Sequence, residues 1–114
     1  MFFSLVNIRM ENFILATHKD MKRALDALKT LSHPVRLSII CNLMEKGEMS
    51  AGEIFAQEEK LASASQTSQY LRKLKDCGIL QDRKDGQFVY YRIKSAEIEK
   101  TVSALKSIFR PKKH

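Results

Sequence analysis

Ser63-Ala64-Ser65-Gln66-Thr67-Ser68-Gln69-Tyr70-Leu71-Arg72-Lys73-Leu74-Lys75-Asp76-Cys77-Gly78 decides how the rest of the 114-residue chain is read. Thr67, Leu71 and Leu74 recur at helical steps and share one face, while Ser65, Gln66, Ser68, Gln69, Arg72 and Lys73 take the sides left over. The spacing predicts a short helix that starts near Ser63 or Ser65, docks its apolar face on a core and closes at Cys77-Gly78. Directly after it, 79–92 reads as two β-type runs about a tight Asp85-Gly86 turn, a strong hairpin signal between runs rich in Val, Phe and Tyr. The tip of that hairpin, Arg83-Lys84-Asp85-Gly86-Gln87, is basic.

Working outward, a helical period runs from Asn12 through Ile14, Thr17, Met21, Ala24, Leu25, Leu28 and Leu31. Ser32-His33-Pro34 ends it and begins the next helix, since proline suits a first turn and restricts the residue before it; His33 serves that helix start. The second helix, from Pro34 to about Lys46, is apolar on more than one face (Val35, Leu37, Ile39, Ile40, Leu43, Met44) and reads as the buried centre, with Gly47 stopping it. Ser50-Ala51-Gly52-Glu53 has the spacing of a capping box and opens a short helix to about Glu58, with Ile54 and Phe55 facing inward. Ser95 caps a last helix whose Ile98, Val102, Leu105, Ile108 and Phe109 form one stripe. The expected organisation is a lead over 1–11, with Met10 an alternative start, one domain over 12–109, and a basic tail over 110–114.

The formal charge is +7, and its distribution says more than its total. Between Lys60 and Lys94 eight basic residues face three acidic ones, whereas Glu45 to Glu59 holds five glutamates against Lys46 alone. Positive charge is therefore concentrated on the helix and hairpin, as a nucleic-acid footprint requires, although a merely solvated surface would share that bias. The start lacks a basic n-region and a small-residue cleavage site, and no run approaches a membrane span, so a cytoplasmic protein is expected. With four glycines and no nucleophile–base set, phosphate loop or carboxylate pair, the pattern offers nothing to an enzyme.

A polar-faced helix followed by a basic hairpin is how a winged helix-turn-helix presents itself to duplex DNA. Glutamine suits adenine edges and arginine suits guanine edges or phosphates. Ser65, Gln66, Ser68 and Gln69 are the candidates for base edges; Tyr70, Arg72 and Lys73 for phosphate or sugar. Arg83, Lys84 and Gln87 at the wing tip suit the minor groove or adjacent phosphates. The expected fold is α+β, mainly α, with a two-stranded wing. Two other readings stay open: a protein-interaction module with a vestigial wing, and an architectural DNA binder indifferent to sequence.

At this point the residues resemble a family. Leu31-Ser32-His33-Pro34-Val35-Arg36-Leu37, Ser68-Gln69-Tyr70-Leu71-Arg72-Lys73-Leu74 and Asp85-Gly86-Gln87-Phe88-Val89-Tyr90-Tyr91-Arg92 look like blocks of the ArsR/SmtB repressors, a match over roughly 24–109. The resemblance implies a homodimer paired through its first and last helices, here Ile14, Met21, Leu25, Ile98, Val102, Leu105 and Ile108. It also implies repression at an inverted repeat, relieved by an effector. One departure is the turn Glu58–Ala62, two residues longer than the family's, which aligns Ala64 with a family glutamine and leaves Gln66 as the nearest substitute. The family's metal sites find no match: the third helix has no cysteine and the last has only Glu97 and Glu99, so neither metal nor cofactor is expected. Cys41 matches the second-helix cysteine of the BigR- and HlyU-like redox branch, whose second cysteine is missing near Ser107-Ile108-Phe109. Cys41 is thus a candidate redox thiol, against the plainer reading of a small buried hydrophobe.

Overall fold

The computed structural model describes residues 18–110; the expected lead, Met10, Ile14, the start of the first helix and the last four residues of the tail lie outside them. The chain divides between Ser32 and His33 into two compact units. In the first, helix α1 spans His18–Leu31. Its polar side is laced by an Arg23–Asp20 ion pair at 3.1 Å, and its end is closed by the Ser32 N–H donating to the Leu28 carbonyl at 3.0 Å. Met21 is half-buried, and Leu25 and Leu28 are exposed.

The second unit opens on α2 (Pro34–Lys46), where His33 is the N-cap and Pro34 sits in the first turn. Val35, Ile39, Ile40 and Leu43 are buried, and α2 touches the three later helices and the sheet, the central place its sequence predicts. Gly47 ends α2 at φ 84°, a left-handed conformation that a side chain would strain. A two-residue strand β1 (Met49–Ser50) follows and leads into α3 (Ala51–Glu58). Ser50 and Glu53 form the expected capping box, each side chain bonding the other's backbone N–H.

Helix α4 (Ala64–Asp76) starts at Ser63, which with Gln66 forms a second capping box. Its C-terminus is a full Schellman closure: Gly78 N–H donates to Lys75 O and Ile79 N–H to Leu74 O, both at 3.0 Å, with Gly78 at φ 78°. Strands β2 (Leu80–Asp85) and β3 (Phe88–Ile93) pair antiparallel, and α5 (Ala96–Phe109) is capped by Ser95, as expected.

Two details differ from the sequence reading. The sheet has three strands in the order β1-β3-β2, because Met49 and Ser50 pair with Tyr91 and Tyr90. A two-residue strand is too short to show an alternation, so it leaves no signal of its own. The hairpin turn is centred one residue later than Asp85-Gly86: Asp85 pairs with Phe88, and Gly86-Gln87 form the loop. Only Gly86 of these has positive φ, 63°, which is the type II′ arrangement rather than the type I′ that an Asp-Gly pair favours. The shift places Arg83 opposite Tyr90.

Candidate nucleic-acid interface

Thr67, Leu71 and Leu74 are buried at 0–1% exposure and dock α4 on the core. At 3.6 residues per turn, Ser65, Gln69 and Arg72 then lie on the opposite face of α4, flanked by Ser68 on one side and Lys73 on the other. All five are exposed. The helix therefore offers hydroxyl, amide and guanidinium groups along one continuous solvent-facing stripe, with the cations Arg72 and Lys73 toward its C-terminal half.

Two other candidates on α4 are already engaged. The Gln66 Oε1 accepts the Ser63 N–H at 3.0 Å, so its side chain is held back by the cap. Tyr70 is half-buried; its hydroxyl lies 3.0 Å from His33 Nε2, its ring centroid 4.7 Å from the imidazole, and the Arg36 guanidinium 5.9 Å above it. Ala64, at the position matched to a family glutamine, is exposed.

The wing is held by long-range ion pairs that no local pattern announced. Arg83 Nε and Nη2 donate to the two oxygens of Glu48 at 2.9 and 2.8 Å, a bidentate pair, and Asp85 approaches at 3.8 Å. The same guanidinium lies 4.5 Å from the centre of the Tyr90 ring, its cross-strand partner. Hydrogen bonding from Arg83 holds the Glu48 carboxyl below the usual carboxylate range, and Glu48 in turn raises Arg83. A depressed carboxyl keeps its charge through neutral pH, so this anchor is intact there and is lost only as pH falls through that lowered value. Lys75 at the end of α4 bonds Asp82 of β2 at 3.0 Å, fastening the hairpin to α4 and raising the Lys75 ammonium. Burial pushes the Tyr91 hydroxyl up, with the Asp82 carboxylate adding to it. Lys84, Gln87 and Phe88 are exposed at the tip.

Behind the interface, Glu58 is 1% exposed at the end of α3. Its Oε2 accepts the Ser38 hydroxyl at 2.8 Å and the Asn42 amide at 3.3 Å, and its backbone carbonyl accepts Leu61 and Ala62 N–H groups at 2.9 Å. One residue thus joins the turn before α4 to α2. The sequence places Glu58 in a polar run, where nothing distinguishes a buried carboxylate from a solvated one.

The stripe expected along the last helix is divided. Ile98 and Val102 are 4% and 0% exposed and belong to the interior, which leaves a partner no surface on them. Leu105 is half-buried, and Ile108 and Phe109 are 70% and 77% exposed. Cys41 is a half-buried free thiol on α2 and Cys77 an exposed one after α4. Among the described residues no group of three or more His, Cys, Asp or Glu side chains is placed to hold a metal ion, and no helix is long and apolar enough to cross a membrane.

Comparison with known proteins bears on this geometry directly. Residues 33–82 match the family described as "Bacterial regulatory protein, arsR family". The chain is 42% identical over 98 residues to the biofilm growth-associated repressor of Xylella fastidiosa, covering 82% of each. It belongs to the ArsR family. A second relative of this ArsR-family chain, named as the transcriptional activator HlyU of Vibrio cholerae, is 32% identical over 91 residues and shares 80% of this chain and 82% of its own. The crystal structure of the transcriptional repressor BigR from Xylella fastidiosa superposes with a TM-score of 0.73 at 36% identity, over 85% of this chain and 96% of that one. The fold is accordingly the winged helix of these regulators, with α3 and α4 as the helix-turn-helix and β2–β3 as the wing. The ArsR-family protein is a DNA-binding transcription regulator and not an enzyme.

Proposed function

We propose that this ArsR-family protein is a homodimeric repressor that reads an imperfect inverted repeat, with the region 12–109 as its working unit. The observation that carries the reading is the exposed stripe of α4 opposite its buried face. Ser65, Ser68 and Gln69 address base edges, while Arg72 and Lys73 hold phosphates on either side of the groove. Two such helices, one from each subunit, enter successive major grooves, so half-sites lie about one helical turn apart. Selection of genomic fragments on the purified, reduced protein at physiological salt tests this. An enriched inverted repeat supports it; binding without enrichment makes the protein an architectural binder, and no binding makes it a partner-protein module. The genes beside an enriched repeat give the chemical class of the effector. The relative named as an activator makes the sign of control worth a direct reading, by a reporter placed behind the enriched site.

The wing's role is divided between its two cations. Arg83 is committed to Glu48 and Tyr90, so Lys84 is the wing's contact to phosphate. Lys84→Ala is expected to lower the slope of log affinity against log salt by about 0.9, one phosphate's worth. Arg83→Ala should leave that slope nearer its wild-type value while loosening the wing. Titrations of a labelled duplex at four salt concentrations compare them, and equal slopes for the two variants would refute the division.

Dimerisation is supported by apolar side chains that each terminal helix leaves in water. Leu25 and Leu28 on α1 are 50% and 60% exposed, and Ile108 and Phe109 close α5. Such residues are costly to leave uncovered, at about 25 cal/mol for each Å² of apolar surface. Joint replacement of Ile108 and Phe109 by glutamate is expected to convert the dimer to monomer at micromolar concentration. Sedimentation equilibrium reads the mass; a variant that stays dimeric excludes the end of α5 from the interface.

A further inference from the structure

His33 does two things with its two ring nitrogens. Nδ1 accepts the Val35 N–H at 3.2 Å, which is the N-cap bond of α2. Nε2 lies 3.0 Å from the Tyr70 hydroxyl on α4. A nitrogen that accepts a backbone N–H carries no proton, and in a neutral imidazole the other nitrogen then carries it. Nε2 is therefore the donor and the Tyr70 oxygen the acceptor. That leaves the hydroxyl's own proton to be given to a third group. Had the cap been serine or aspartate, as is common, no such direction would be imposed.

Tyr70 stands on the flank of α4 that carries Gln66 and Lys73 at helical spacing, between the buried face and the exposed stripe. Its ring is gripped from the α2 side by the His33 imidazole and by Arg36, whose Nε is buried without a hydrogen-bond partner among the described residues. The ring is held and the hydroxyl oxygen already accepts one hydrogen bond. What the hydroxyl still seeks is an acceptor, and the neighbouring Lys73 favours an anionic one.

We propose that His33 is a positioning residue for DNA binding: through its Nε2–H it orients the Tyr70 hydroxyl to donate to a backbone phosphate oxygen. The proposal rests on the reading that α4 lies along duplex DNA. The cap of α2 and the phosphate contact of α4 are thereby coupled through one imidazole.

The test is a double-mutant cycle on affinity for the enriched duplex, with Tyr70→Phe, His33→Asn and both together. Asparagine caps helices as well as any residue but has no second nitrogen to reach Tyr70, so it separates the cap from the link. Each single variant is expected to bind roughly tenfold more weakly, the value of one hydrogen bond to a charged acceptor, and the pair no more weakly than either alone. The salt slope should stay at its wild-type value, because a neutral hydroxyl displaces no counterion. Imidazole ¹⁵N shifts of the wild-type protein should show a protonated Nε2 and a bare Nδ1, a readout that survives even if His33→Asn fails to fold. Losses that multiply in the double variant, a Tyr70→Phe variant that binds like wild type, or an Nδ1–H tautomer each overturn the proposal. Failure of the wild-type protein to bind any duplex is a different result, and it removes the DNA reading itself.

Discussion

Replacing Arg72 and Lys73 together by alanine is expected to weaken binding to every duplex alike, by on the order of a hundredfold, as two charge-assisted phosphate bonds are lost. The slope of log affinity against log salt should fall by about 1.8 at the same time, roughly 0.9 for each phosphate released. The reason lies in where these side chains stand: both are exposed, on the half of α4 opposite the buried Thr67, Leu71 and Leu74, and neither ties the fold together. Gln69→Ala is the contrasting variant. An amide removed from the centre of the stripe costs about 1–3 kcal/mol against the enriched sequence and little against random duplex, with the slope unchanged. Fluorescence anisotropy on both duplexes across a salt series separates the two behaviours. If Gln69→Ala and the double variant lose affinity in the same pattern, the division of α4 into base-reading and phosphate-holding groups is wrong.

Leu71→Ala should be the most damaging single change on α4 although it touches no ligand. Leu71 is 1% exposed in the middle of the face that docks the helix, and it lies between Thr67 and Leu74, both equally buried. Truncation to alanine removes its burial and leaves a cavity, for a loss of about 3 kcal/mol. That is a large share of the total stability of a domain this size, typically about 5–15 kcal/mol. Urea unfolding followed by far-UV circular dichroism measures it, with Ser68→Ala as the control; on the exposed side of the same helix that change should stay within about 0.5 kcal/mol. A Leu71→Ala variant as stable as the control would mean that α4 is not anchored through this face.

Most of α4 and its supports was legible in the sequence because the interactions that define them are local. The capping box at Ser50 joins residues three apart, and the closure at Gly78 joins residues five apart. The face made by Thr67, Leu71 and Leu74 follows from helical period alone. His33 could be placed at a helix start because proline follows it. Each of these bonds is satisfied within one or two turns of chain, so the order of residues is enough to specify it.

What tertiary structure decided are the pairings across the chain and the choice of which apolar residues to cover. Tyr70 and His33 stand 37 residues apart, Arg83 and Glu48 35, Glu58 and Ser38 20. In the sequence Tyr70 and Arg83 carry no sign of these partners, because a side chain's partner is set by how helices and strands pack and leaves no periodic trace. The stripe from Ile98 to Phe109 is likewise one pattern in sequence but two in space, since period reports that a face is apolar and not what lies against it. The turn at Gly86-Gln87 differs from the expected one by a single residue, because strand pairing across the whole β2–β3 ladder outweighed the local preference of Asp-Gly. Sequence by itself thus determined the helices and the hairpin among the described residues, while strand β1 and the exact turn were left to strand pairing. Only the packed structure determined which of their polar groups are already partnered inside the protein, and a group so satisfied gains little by reaching further.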